Sequence, residues 1–332
     1  MKNRALAATA AAALIGSLTL TACGQGVSNS SASNGNGNAA QITNCGKART
    51  YPANPERIVA LNPGQGDLIA RLGAAERVTA IAQTNGAPIP TSLTANGHKP
   101  TVLSDSAPPT KEQLLGTQPQ LVLSPTTYEF TAEKGYATED QLRQAGAEVY
   151  IAAAGCLDRR GKADVADLLT DIDALGKILG KDKEAQDLHN KAQGILTAAT
   201  ERAKDQTKPK VAQLFIEGDT ISAIGGGVEH SMVAAAGGDN VFNPDDPAFA
   251  KFFAAEISRE TLVDKNPEVI VFSSTGKDHE KRTREWLAKN FANVEAVKND
   301  RIVALPASEL LPGTWGNLEA VTSMNEAFYP AK

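Results

Sequence analysis

Cysteine, histidine and excess positive charge are all scarce in this chain, and each scarcity excludes something. Three cysteines in 332 residues cannot make disulfides the main source of stability. Four scattered histidines, His98, His189, His230 and His279, form no His-rich loop, so a bare zinc or manganese site and a resident cofactor are not expected. Basic residues number 33 against 38 acidic ones, and the net charge of −5 gives no general attraction for nucleic acid. No Gly-Lys-Ser/Thr follows a glycine run, so there is no Walker A loop. The Gly-x-Ser-x-Gly nucleophile elbow is missing too, and no Ser/His/Asp set assembles itself. Asp245-Asp246 sits beside prolines and reads as a solvated turn. With 42% hydrophobic and 21% charged residues, the composition is that of a globular chain. Its length suggests about two domains.

The first 22 residues read as a signal segment. Lys2 and Arg4 precede an apolar stretch, Ala5 to Leu20, that falls short of the roughly 20 residues of a membrane helix. Leu20-Thr21-Ala22-Cys23 is similar to a bacterial lipobox, in which Cys23 would become the lipidated N-terminus; an ordinary secretory signal shares the earlier features. Residues 23–44 are rich in Gly, Ser and Asn and predict a flexible tether. Cys45 and Cys156 then remain. In an oxidising exterior an even pair predicts one disulfide, the alternative being two free thiols.

From residue 45 the chain alternates strand and helix. Apolar, β-branched runs at 57–61, 78–82, 121–124 and 148–152 predict strands of one lobe (45–157). Runs at 211–216, 220–224, 269–273 and 301–305 predict a second lobe (208–332). Between them, Val165, Leu168, Leu169, Ile172, Leu175 and Leu179 fall at helical spacing and Gly180 closes the run. A second helix follows before Lys208-Pro209. The expected class is therefore α/β: two Rossmann-like lobes with mainly parallel sheets, joined by a single long helical crossing within the connecting helices of 158–207, with a ligand cleft between the lobes. One large doubly wound domain with a helical insertion is the alternative.

Two internal echoes support paired lobes. Glu112 opens a helix, Pro119 follows seven residues later and a buried strand comes next; Glu260, Pro267 and their strand repeat that order. Helix capping alone would account for either glutamate singly. Glycine loops at 64–66 and 225–227 each follow a strand and begin a helix. In open parallel sheets ligands bind outside the carboxyl ends of the strands, so these loops would line a shared cleft.

These stretches, with Pro55-Glu56-Arg57-Ile58-Val59-Ala60-Leu61, Leu72-Gly73 through Val78, Ala236-Gly237-Gly238-Asp239-Asn240-Val241-Phe242 and Asn299-Asp300-Arg301-Ile302-Val303, resemble the binding proteins of ABC importers for iron siderophores, haem and cobalamin. The similarity runs over residues 45–330. It implies a monomer of two lobes that binds a small-molecule ligand between them and hands it to a permease and its ATPase. The protein would be anchored by lipid at the outer face of the cell membrane, with no nucleic-acid partner and no catalysis. It also implies that Glu112 and Glu260 dock on permease arginines. Family members usually carry Glu where this chain has Asp67. A ferric siderophore is the expected ligand, with haem, cobalamin or a cofactor precursor as alternatives. Candidate ligand-binding residues are Gln65, Thr84, Asn85, Tyr128, Glu129 and Phe130 on the first lobe. Those on the second are Glu217, His230, Phe249, Phe252 and Trp315. His230 or Tyr128 would be a haem ligand. An extracellular α/β enzyme and a passive adhesin are the competing classes.

Overall fold

A computed structural model describes residues 39–330 apart from Arg160. The signal segment, Cys23 and most of the expected tether lie outside the described residues. The last five residues of that tether are ordered as β1 (Ala40–Asn44), which pairs antiparallel with β2 (Lys47–Tyr51). The reason is local. Cys45 and Gly46 both take positive φ, 47° and 72°, the condition for a two-residue hairpin turn. Cys45 is bonded to Cys156, with Cα atoms 5.2 Å apart. Asn44 adds a second tie, donating to Ile151 O and accepting from Ile151 N.

The first lobe runs β3 (Ile58–Ala60), α1 (Pro63–Arg71), β4 (Val78–Ile81), α2 (Thr91–Thr94), β5 (Thr101–Val102), α3 (Lys111–Gly116), β6 (Leu121–Ser124), α4 (Glu139–Gln144) and β7 (Glu148–Ile151). Its sheet has the order β5-β4-β3-β6-β7 with every pair parallel. Helix starts follow their caps. Asn62 accepts from Gly64 N and Pro63 holds the first helical position of α1. Thr110 and Gln113 form a reciprocal capping box on α3.

α5 (Asp167–Leu179) and α6 (Asp182–Ala203) then carry the chain across. Gly180, at φ 65°, ends α5, and Lys181 N bonds back to Gly176 O. The apolar stripe of α5 is buried as its spacing predicts, including Leu168, Ile172, Leu175 and Leu179. Each such side chain contributes roughly 1.5–3 kcal/mol by burial.

The second lobe holds β8 (Lys210–Glu217), β9 (Thr220–Ile224), α7 (Gly227–Ala235), β10 (Asp239–Asn240), β11 (Ala254–Ile257), α8 (Arg259–Lys265), β12 (Val269–Ser274), α9 (Lys277–Asn290), α10 (Glu295–Lys298), β13 (Ile302–Pro306) and α11 (Gly316–Phe328). Its sheet is mixed. β8, β12 and β13 are parallel, but β8 and β9 form a hairpin and β11 runs antiparallel beside β9. The Gly218-Asp219 turn leaves too few residues for the crossover that a parallel pair needs. One apolar cluster spans both lobes, joining Ile58 and Leu121 to Val211 and Val269 through α5, α6, α7 and α11. Asn325 fastens it, donating to Ala199 O on α6 and Ala236 O after α7. The lobes are thus joined by a packed helical layer, broader than the single helical crossing that the sequence suggests. Among the described residues no helix is long and apolar enough to cross a membrane.

Candidate functional site

The carboxyl ends of the two sheets face each other. Residues 84–88, which follow β4, form one wall of a cavity of about 580 Å³; residues 274–277 after β12 and 304–308 at the end of β13 form the other. Apolar surface from Pro88, Leu305, Pro306 and Leu311 makes up most of these walls, with hydroxyl, amide and peptide groups set into it and Lys277 and Glu280 as the charged side chains. The first wall is fixed internally. Thr84 Oγ1 donates to Asp105 Oδ1 at 2.8 Å and Gly86 N donates to the same oxygen at 2.7 Å, and these bonds hold the Asp105 carboxyl below its usual range.

A smaller pocket of about 100 Å³ adjoins the cavity at Leu311, which lines both. It lies between Thr126 and Ala154 of the first lobe and Val228, Glu229 and Phe253 of the second. Thr126 follows β6, which with β3 flanks the point where strand order reverses in the first sheet. Gly155 is required there, since a Cβ would overlap the Pro125 carbonyl oxygen. The Glu229 carboxyl lies deep among protein atoms although part of its side chain reaches the pocket. Burial pushes it up to about 7, opposed by one hydrogen bond from Gln213 Nε2 at 2.9 Å.

The expected ligand residues divide. Thr84 and Asn85 line the main cavity. Tyr128 is exposed, two residues beyond Thr126, with its ring edge-on to Tyr136. Phe252 is exposed and stacked on Phe253, which lines the small pocket. Glu217 lies on a separate outer cavity beside His279 and Trp286. The others serve the interior. Phe130 and Phe249 are buried in the apolar cores of their lobes, and Phe249 packs against Phe242. Trp315 is 2% exposed, with Arg71 and Lys191 over its ring at 5.0 and 5.5 Å. Gln65 is buried in α1, and its Oε1 has no partner. Glu129 is buried and accepts from Thr126, Ser124 and Gln83. His230 is half-buried 3.2 Å from Asn240 Nδ2, and burial lowers its pKa. Aromatic and polar letters near strand ends do not reveal whether a loop turns its side chain inward. The cavity residues missing from the sequence expectation, Ser274 to Lys277 and Pro306 to Ser308, follow directly from the rule that places ligands at carboxyl strand ends. Glu229 carried a signal as well, as an acid in the first turn after a glycine loop.

Glu112 and Glu260 occupy the same position, second residue of α3 and of α8, after Thr110 and Ser258 caps. Both are exposed. At the start of α3, Gln113 Nε2 donates to Leu103 O just beyond β5; at its end, Gln118 O accepts from Arg57 Nε at the start of β3. At the start of α8, Arg259 donates to Asp219 just beyond β8, and the backbone N–H of Lys210 at the foot of β8 donates to Glu268 Oε2 beyond the helix end. Both glutamates therefore stand on the carboxyl side of their sheets, the side on which the cavity opens. The backbone N–H of Glu260 itself and the Ser258 hydroxyl hold the Glu260 carboxyl below its usual range.

The sequence profile of the periplasmic binding protein family matches residues 58–309. A curated cobalamin-binding protein of Halobacterium salinarum is 25% identical over 226 residues, 68% of this chain; the match spans 55% of that relative, so the chain covers about half its length. A periplasmic binding protein of Veillonella parvula superposes with a TM-score of 0.75 at 20% identity, covering 90% of this chain and 100% of that one. An Fe3+-hydroxamate transport protein of Saccharomonospora viridis gives 0.71 at 21% identity, covering 87% and 99%. A periplasmic haem-binding protein of Vibrio cholerae gives 0.64 at 21%, covering 82% and 99%. At these identities the structures testify to the fold.

Proposed function

The chain belongs to the periplasmic binding protein family, and on that premise we propose that it is the surface-anchored substrate-binding subunit of an ABC importer for a ferric siderophore. It acts outside the cytoplasm as a monomer, held to the membrane by lipid on Cys23. It captures the complex between its lobes and presents it to the permease and its ATPase. It binds and delivers, and catalyses nothing.

The observation that carries this reading is the cavity of about 580 Å³ between the carboxyl ends of the two sheets, flanked by a glutamate at the same helical position on each lobe. The volume suits an organic complex rather than a bare ion. In a siderophore the iron donors are already supplied, so the protein needs only hydrogen-bonding and apolar surface. The walls offer that, with one lysine and one glutamate among them, which favours a neutral or weakly charged complex of hydroxamate type over a highly anionic catecholate. His230, which meets Asn240 through Nδ1 and lines neither cavity, gives the haem reading no support. Cobalamin is the second reading, favoured by the Halobacterium salinarum relative.

Titration calorimetry with a ferric trihydroxamate, a ferric tricatecholate, haem and cyanocobalamin tests this. The expected result is saturable one-to-one binding of the ferric trihydroxamate above the others. Preferential binding of cobalamin would establish the second reading, and binding of none would overturn both.

A further inference from the structure

The small pocket beside the main cavity is short of hydrogen-bond donors. Glu229 receives one bond, from Gln213 Nε2. The other end of that carboxamide, Gln213 Oε1, has no partner among the described residues, although Gln213 is only 1% exposed. Among the described residues no Lys, Arg or His makes an ion pair with Glu229. Around this acceptor-rich spot the walls are apolar, from Ala154, Val228, Phe253, Leu310 and Pro312. Acceptors left without donors in such surroundings cost the full desolvation of the group. A native cavity with this imbalance is complementary to something that brings donors, and preferably positive charge. An ammonium brings three N–H groups and no acceptor. The volume of about 100 Å³ holds several water-sized groups, each of which needs roughly 10–15 Å³, so it admits a slender chain and refuses a ring system. The shared wall at Leu311 lets one ligand occupy the cavity with its bulk and the pocket with an arm.

We propose that Glu229 is a specificity-determining residue of this cleft, selecting ligands that carry a primary ammonium on a short alkyl arm. The proposal rests on the reading of the cleft as a ligand-binding site and deepens it. The arm lies between Phe253 and Ala154, and its ammonium pairs with the Glu229 carboxylate. An uncharged arm of equal length would leave that carboxylate unpaired or protonated.

The test uses one ferric linear trihydroxamate with a free terminal amine and its N-acetylated counterpart, which present the same iron coordination. Wild-type protein binds the amine form roughly 30-fold or more tightly than the acetylated form, the ratio expected for a buried charge pair against its broken version. Glu229→Gln, matched in size, binds the two forms alike, and Glu229→Asp restores part of the preference. Equal wild-type affinity for the two forms, or an undiminished preference in Glu229→Gln, would overturn the proposal. Binding of neither form would instead count against the iron-complex reading. The pocket is then probed directly with n-butylammonium and n-butanol. Thermal stabilisation of wild type by the ammonium alone, lost in Glu229→Gln, supports the proposal, and its absence overturns it.

Discussion

The two lobes solve the same problem with different means. In the first, strands of two to four residues make an all-parallel sheet of five, and the β1–β2 hairpin is bolted to β7 through Asn44 and to the segment after β7 through the disulfide. In the second, β8 and β12 reach eight and six residues, an antiparallel hairpin extends the sheet, and Phe242, Phe249, Phe272 and Phe291 fill a separate core. The short central strands of the first lobe, β3 and β6, are fully buried and a covalent tie is added to their sheet, whereas the second lobe has longer strands and, among the described residues, no disulfide. Yet α3 and α8 place a glutamate at the same point of the same helical turn in both. What the lobes share is confined to the rim of the cleft, and what differs lies in the scaffold behind it.

Breaking the tether should separate the lobes most. The disulfide spans 111 residues, and the chain-entropy model gives about 4–5 kcal/mol for a loop of that length, with smaller values common in practice. Cys45→Ser/Cys156→Ser should therefore lower the urea midpoint further than any glycine, carboxyl or cap substitution. Hydrogen exchange should rise in β1, β2 and β7 well before it rises in β8 and β12. Uniform loss of protection across both lobes would erase the distinction.

Next in size is Gly155→Ala. The added methyl would overlap the Pro125 carbonyl, and overpacking of this kind costs about 1–3 kcal/mol. The loss should register in denaturant unfolding and fall on the first lobe's side of the small pocket.

Asp171 sharpens the comparison through pH. It accepts from the Tyr150 hydroxyl and Ala153 N, while its second oxygen lies without a partner, and burial raises its pKa from 3.8 to about 7. Between those values the folded protein holds a proton that the unfolded chain releases. The group's stabilising contribution is thus complete below pH 3.8 and is lost as pH rises toward 7. Asp171→Asn retains the acceptor oxygen and does not titrate. Its stability relative to wild type should accordingly be higher at about pH 8 than at about pH 4, as measured by urea unfolding at both. An unchanged difference between the two pH values would contradict the assignment.

The smallest effects belong to the caps. Thr110→Ala and Ser258→Ala should each cost about 1 kcal/mol. Gln113→Ala should add a smaller loss, because it removes the reciprocal bond from Thr110 N that Thr110→Ala leaves in place. No loss in chemical denaturation of Gln113→Ala would show that the reciprocal bond contributes nothing.

Much of this architecture is written in local pattern. The strands at 121–124 and 220–224 and the helix end at Gly180 fall where periodicity and glycine put them, because each depends on neighbours in sequence. β5, β10 and β11 escape such reading: two have only two residues, and β11 is a partly exposed edge strand whose pairing is set by β9. The site was legible as a region and less so as residues. Thr84 and Asn85 lie on the cavity because they follow a strand directly. Trp315 and Phe249 do not, because a large apolar ring near a loop is pulled into the nearest core, and sequence does not say which side that core is on. Glu229 acquires its character from Gln213, sixteen residues away and on another element.

If the two lobes act as one delivery device, the matched glutamates at the rim serve the permease and neither scaffold requires them. Uptake of the 55Fe-loaded ferric complex by cells carrying Glu112→Lys/Glu260→Lys decides this, alongside ligand binding and melting of the purified variant. The expected outcome is a folded protein that binds ligand as wild type does and supports almost no uptake. Wild-type uptake by that stably folded double variant would contradict the docking role of both glutamates.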